Sequence, residues 1–117
     1  MAQKSKQSQN PSRGEIEVRF GEEYYQGKVT LDIVRRIETK FGCGIVKVAG
    51  RLAEGNLTIT QCASMIMLVM NAGQNEKKVK ESDVEELIFA YGLTEGIKVC
   101  GDILSEILQT GDKQGNV

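Results

Sequence analysis

Glu85 and Glu86 are the side chains in this 117-residue sequence most suggestive of acid–base catalysis. Neighbours on a helix point about 100° apart, so the pair cannot converge on one reacting atom. Near the start of a helix they serve the helix dipole instead. The thiols Cys43, Cys62 and Cys100 stand far apart, odd in number and without C-x-x-C spacing, which argues against a zinc site and against a disulfide framework. Cys62 and Cys100 fall on apolar helical faces and read as inert core thiols, since no base or cation is in view to lower a pKa. Cys43, in a loop, is the most exposable of the three. Histidine is absent, which removes the commonest general base and metal ligand. Gly42-Cys43-Gly44 lacks the G-K-[ST] ending of a phosphate loop and reads as helix punctuation. The expectation is a protein without catalytic residues, cofactor or metal.

Fifteen basic and sixteen acidic residues leave a net charge of -1 and no broad positive field for a nucleic-acid backbone. A length of 117 residues with 40% hydrophobic content suits one domain with a core of its own. The polar N-terminus has no apolar signal segment, and reduced thiols fit a cytoplasmic setting.

The groups named so far hang on a short list of elements. Residues 1–13, MAQKSKQSQNPSR, read as a disordered tail. Ile16, Val18 and Phe20 alternate with Glu17 and Arg19, the period of a half-buried strand. With Gly21-Glu22 as a II′ turn, Phe20 faces Glu23, Val18 faces Tyr25 and Ile16 faces Gly27. That register sets Ile16, Val18, Phe20, Tyr25 and Val29 on one face. The open edges of a lone hairpin invite strand addition. Thr30 caps a helix that Gly42 stops, and a shorter helix follows, ending at Gly55. Thr58 and Gln61 form a capping box before the densest apolar run, ITQCASMIMLVMNA, which is apolar nearly all round and must be covered on several sides. It is too short to span a membrane. Ser82 and Glu85 suggest a second capping box, with Val84, Leu87, Ile88 and Tyr91 as the stripe of a helix ended by Gly92. Thr94 opens a last helix with Ile97, Cys100, Gly101, Ile103, Leu104, Ile107 and Leu108 inward, and residues 111–117 read as a frayed tail. The class is α+β, mostly α: an N-terminal β-hairpin followed by a bundle of about five helices. The last two helices have the outline of a helix-turn-helix, but a DNA reader needs more than Glu95 and Lys98 at the start of its second helix.

The stretch Arg13-Gly14-Glu15 leading into the hairpin, the helix LDIVRRIETKFGCGI with its glycine break, the RLAEGNLTIT connection and the Tyr91-Gly92-Leu93 hinge together resemble the small protein encoded just before the tape measure in long-tailed phages and gene transfer agents. That family is catalogued both as a tail assembly chaperone and as a tail tube protein of the gene transfer agent type. The resemblance covers residues 13–110, making 14–110 a single domain of that kind. It departs from the family at Gly42-Cys43-Gly44, where relatives often carry a proline.

What the resemblance implies is a non-enzymatic factor of the host cytoplasm that binds the tape measure protein and keeps it soluble during tail morphogenesis. The major tail protein is a second expected partner, and homo-oligomerisation is open. A different reading makes the chain a structural subunit of the tail tube, and a third a small DNA-binding regulator. Flexible thioethers suit surfaces that accept varied apolar helices. The contact surface expected on that ground is Met65, Met67 and Met70 with Ile103 and Ile107.

Overall fold

A computed structural model describes residues 14–73, 75 and 77–115 of the chain, with side chains through Gln109. The expected disordered tail, 1–13, lies outside the described residues, as do 116 and 117 of the expected frayed tail. Two strands, β1 (Glu15–Phe20) and β2 (Glu23–Lys28), precede five helices: α1 (Leu31–Phe41), α2 (Ile45–Ala53), α3 (Ile59–Ala72), α4 (Glu81–Tyr91) and α5 (Leu93–Gly115). This is the expected α+β arrangement, mostly helical.

The hairpin is antiparallel and in the expected register, with Phe20 opposite Glu23, Val18 opposite Tyr25 and Ile16 opposite Gly27. Gly21 makes the turn at φ 63, and among the described residues no non-glycine residue has a positive φ, as a II′ turn requires. Val18 and Phe20 are buried on the inner face, with Ile16, Tyr25 and Val29 packed against the core beside them.

Helix α1 begins where the Thr30 hydroxyl accepts from the Ile33 N–H and ends at Gly42 in the left-handed conformation. Its inward residues are Ile33, Ile37 and Phe41. Gly44, which precedes α2, has no side chain to cap with, and the Glu38 carboxylate accepts from the Ile45 N–H at 2.9 Å in its place. The capping box of α3 is formed as expected, with Thr58 and Gln61 each bonded to the other's backbone N–H at 3.0 Å. Helix α3 is the centre of the fold, touched by α1, α4, α5 and β2. Cys62, Ala63, Met65, Ile66, Val69 and Met70 are all buried on it. The cover that an apolar helix needs therefore comes mainly from its own domain.

Two helix boundaries differ from the sequence expectation. Helix α4 starts at Glu81, so Ser82 lies inside the first turn rather than capping it. Asp83 closes this end by accepting from the Lys80 backbone N–H at 2.9 Å. With Lys80 before the first turn, Asp83 stands at the third helical position, where its carboxylate reaches back to that amide and its charge suits the helix N-terminus. Helix α5 opens at Leu93, one residue before Thr94, and runs through Gly111 to Gly115. A glycine inside a helix costs about 1 kcal/mol, which weakens a helix without forcing it to end.

Candidate functional site

Of the five residues expected to meet a partner, three are sealed inside the domain. Met65 and Ile103 have no exposed surface and Met70 has 1%. Met67 and Ile107 are partly buried and pack against the same core. The correction follows from burial: Met65 and Met70 lie on faces of α3 that the domain covers completely, while Met67 is covered only in part. The Met run is core filler.

The carboxylate pair separates as well. Glu85 lies beyond the first turn of α4, whose acidic residues are Glu81 and Asp83. The Thr60 hydroxyl donates to Glu85 at 2.8 Å, and one helical turn along the buried Ser64 hydroxyl donates to Glu81. Both rungs join α3 to an antiparallel α4. They leave Glu85 as a structural acceptor, and the dipole role expected for it belongs to Glu81 and Asp83.

Cys62 and Cys100 are buried side by side, with the Cys100 thiol directed at the Cys62 carbonyl oxygen at 3.7 Å. Hydrogen bonding to Cys62 and burial together push the Cys100 thiol well above its ordinary pKa, so it stays protonated and unreactive. Cys43 is partly buried in an open depression lined by Arg35, Glu38, Thr39 and Gly44. Among the described residues no group of three or more Cys, Asp and Glu is placed to hold a metal ion.

A polar cluster fastens the tip of the hairpin to the end of α4. Glu23 accepts from the Tyr25 hydroxyl at 2.7 Å and from the Tyr91 hydroxyl at 3.0 Å. The Tyr91 ring lies 6.1 Å from that of Phe20. The bond from Tyr25, then that from Tyr91, holds Glu23 below its ordinary carboxylate value. The same carboxylate, helped by desolvation, raises Tyr25 to about 12 and raises Tyr91. The sign follows directly. A phenol whose folded pKa is raised contributes stability below its unfolded value of 10.0, lost as pH climbs through about 12. Glu23 contributes above the ordinary carboxylate range, and that contribution is lost as pH falls through its lowered value. In an ultraviolet titration of tyrosinate, Tyr25 is expected to ionise near 12, and Glu23→Gln is expected to bring it back toward 10.0. An unchanged titration in that variant shows that Glu23 is not the cause.

The apolar groups that do face outward are elsewhere. Of nine large hydrophobic residues exposed among the described residues, five belong to the α4–α5 hairpin: Phe89, Tyr91, Leu93, Ile97 and Leu108. Phe89 is 86% exposed and Leu93 51%. They flank the Tyr91-Gly92 turn. The expected inward stripe of α4, Val84, Leu87, Ile88 and Tyr91, does not include Phe89. Its signal is there nonetheless: it sits about 100° from Ile88, off that stripe.

The fold and these surfaces define a small, mostly helical α+β domain whose polar side chains close caps, turns and helix seams and whose spare apolar side chains lie on its last helical hairpin. The chain belongs to the phage tail tube protein, GTA-gp10 family, whose model matches residues 13–110. No curated protein and no solved structure matches it. That description supports a tail-related structural role and fits the tail-subunit alternative better than the tape-measure chaperone that the resemblance first implied. Among the described residues no helix is long and apolar enough to cross a membrane.

Proposed function

We propose that this chain is a non-enzymatic component of the phage or gene transfer agent tail, acting through contacts with other tail proteins as a structural subunit. The observation that carries the reading is the concentration of outward apolar residues on the α4–α5 hairpin, with Phe89 86% exposed. A large aromatic side chain in water has no role in this monomer's core, and aromatic residues are enriched where protein surfaces meet. The hairpin then docks on a neighbouring tail protein, of which the major tail protein is the first candidate.

A second reading, a chaperone of the tape measure protein in the host cytoplasm, is favoured by a different observation. Among the described residues the sheet has two strands, a small lining for a tube, whereas an apolar helical hairpin suits capture of an amphipathic segment. Mass spectrometry of purified tails separates the two. A subunit is retained in finished particles at a stoichiometric level, while a chaperone is absent from them and co-purifies with the tape measure protein. In either case Phe89→Ser is expected to weaken the complex about tenfold or more, as loss of a central aromatic anchor does, while leaving the thermal melt of the free protein unchanged. Binding indifferent to Phe89→Ser rules out this surface.

A further inference from the structure

A net charge of -1 conceals an uneven distribution. Helix α4 carries Glu81, Asp83, Glu85 and Glu86 and no basic residue. Helix α1 carries Arg35, Arg36 and Lys40 against Asp32 and Glu38, and α2 adds Lys47 and Arg51 with no acidic residue. Both α1 and α4 pack against α3, so one chain presents an acidic helix and a basic pair of helices on the same framework. On α4, Glu86 and Phe89 are both exposed and stand three residues apart, which makes them neighbours on one outward face. On α1, Arg36 is held by Asp32 at 2.9 Å, whereas Arg35 forms no ion pair among the described residues.

Arg35 borders the open depression at the start of α2, about 410 Å³, whose other walls are Glu38, Thr39, Cys43 and Gly44. A cavity of about 150 Å³ holds a benzene molecule, so a phenyl ring has room here. The Glu38 carboxylate is occupied by the Ile45 N–H, which leaves the Arg35 guanidinium as the charge on the rim that is open to a partner. A guanidinium lies on a ring face as readily as it pairs with a carboxylate. Val46, 71% exposed, stands two residues beyond Gly44 and adds apolar surface beside the depression. A second groove of about 180 Å³, bordered by Glu17, Arg19, Glu95, Lys98 and Asp102, is a poorer seat for an aromatic ring, because the ring would strip water from charges of both signs.

We propose that Phe89 of one copy of this chain seats in the α1–α2 depression of a second copy, with Glu86 of the first paired to Arg35 of the second. Side chains three apart on a helix have Cβ atoms about 5–6 Å apart, a spacing that lets Phe89 enter the depression while Glu86 meets Arg35 at its rim. The charge of α4 decides the occupant. A second α4 laid on the first opposes like charges, which is costly, while the α1–α2 pair offers the opposite sign and a seat for the ring. The interface therefore joins two unlike surfaces, both present on every copy. This inference rests on the reading of the α4–α5 hairpin as a docking surface, and makes a copy of this chain, rather than the major tail protein, its occupant.

Sedimentation of the full chain measures the association, and Cys43 reports where it happens. Cys43 is partly buried in the wall of the depression while Cys62 and Cys100 are buried, so a water-soluble thiol reagent reads Cys43. Its labelling is expected to be lost as the protein associates. Phe89→Ser and Arg35→Glu are each expected to raise the dissociation constant about tenfold or more, with a far-ultraviolet circular dichroism spectrum like that of the parent, and to restore labelling of Cys43. An equal mixture of the two variants brings the intact Phe89 of one to the intact depression of the other, and is expected to form a complex that neither forms alone. A mixture that stays monomeric overturns the proposal, and so does Cys43 labelling that ignores association. A parent that is monomeric at all concentrations, yet loses its complex with the major tail protein on Phe89→Ser, overturns the second copy alone and leaves the docking surface standing.

Discussion

Met65→Glu is expected to leave no folded protein, while Met67→Glu, two residues away, is expected to give a folded one. Met65 has no exposed surface and lies in the cluster with Val18, Phe20, Ile66 and Val69. A carboxylate there finds no partner, and an unpaired buried charge costs several kcal/mol or forces the group to protonate. Domains of this size are stable by only about 5–15 kcal/mol, and the same substitution also removes packing worth about 2–5 kcal/mol. Met67 is partly buried, so its side chain loses part of the roughly 1.5–3 kcal/mol that full burial of a methionine contributes. A loss of about 1 kcal/mol is the expectation, because the introduced carboxylate can turn into water. Soluble yield and thermal melts followed by circular dichroism distinguish the two. Equal melts for the two variants contradict the placement of Met65.

That contrast also marks the boundary of what the residues alone disclose. The hairpin was legible to the last pair, because strict alternation and a glycine turn leave one register that buries Val18 and Phe20 together. The caps at Thr30 and Thr58 were legible because their partners lie within three residues. The rotation of α3 was not: an apolar run that goes nearly all round a helix has no polar stripe to orient it, so Met65, Met67 and Met70 looked alike. The bonds of the Asn75 amide to both backbone groups of Gln26 on β2 were not legible either, since the two stand 49 residues apart in the chain. Asn71 belongs to the same class. It interrupts the apolar run as if breaking the helix, but its amide bonds both backbone groups of Val79, at 2.8 and 2.9 Å, and turns the chain toward α4. Composition signals polar residues near turns; it does not say which distant backbone they complete.

Gly73→Ala is expected to be the most damaging of the glycine-to-alanine substitutions, about 3 kcal/mol or more. Gly73 has φ -87, a value any residue adopts, so backbone strain plays no part. The cause is contact. A methyl group at this position falls 2.0 Å from the Gln26 carbonyl oxygen and 2.9 Å from the Gly27 Cα. Both are backbone atoms of β2 and cannot rotate aside. Relief requires β2 to move away from the end of α3, which breaks the paired bonds of Asn75 to Gln26 and lifts Gly27 from its seat on Val69. Gly50→Ala supplies the control. Gly50 lies inside α2 with nothing within 4 Å of an added methyl group, and alanine in a helix interior is favoured over glycine by about 0.5–1 kcal/mol. Chemical denaturation of the two variants is therefore expected to move the midpoint in opposite directions, Gly50→Ala upward and Gly73→Ala downward. A Gly73→Ala midpoint equal to the parent's shows that β2 does not approach α3 this closely. The seat of Asn75 on the β2 edge then loses its basis.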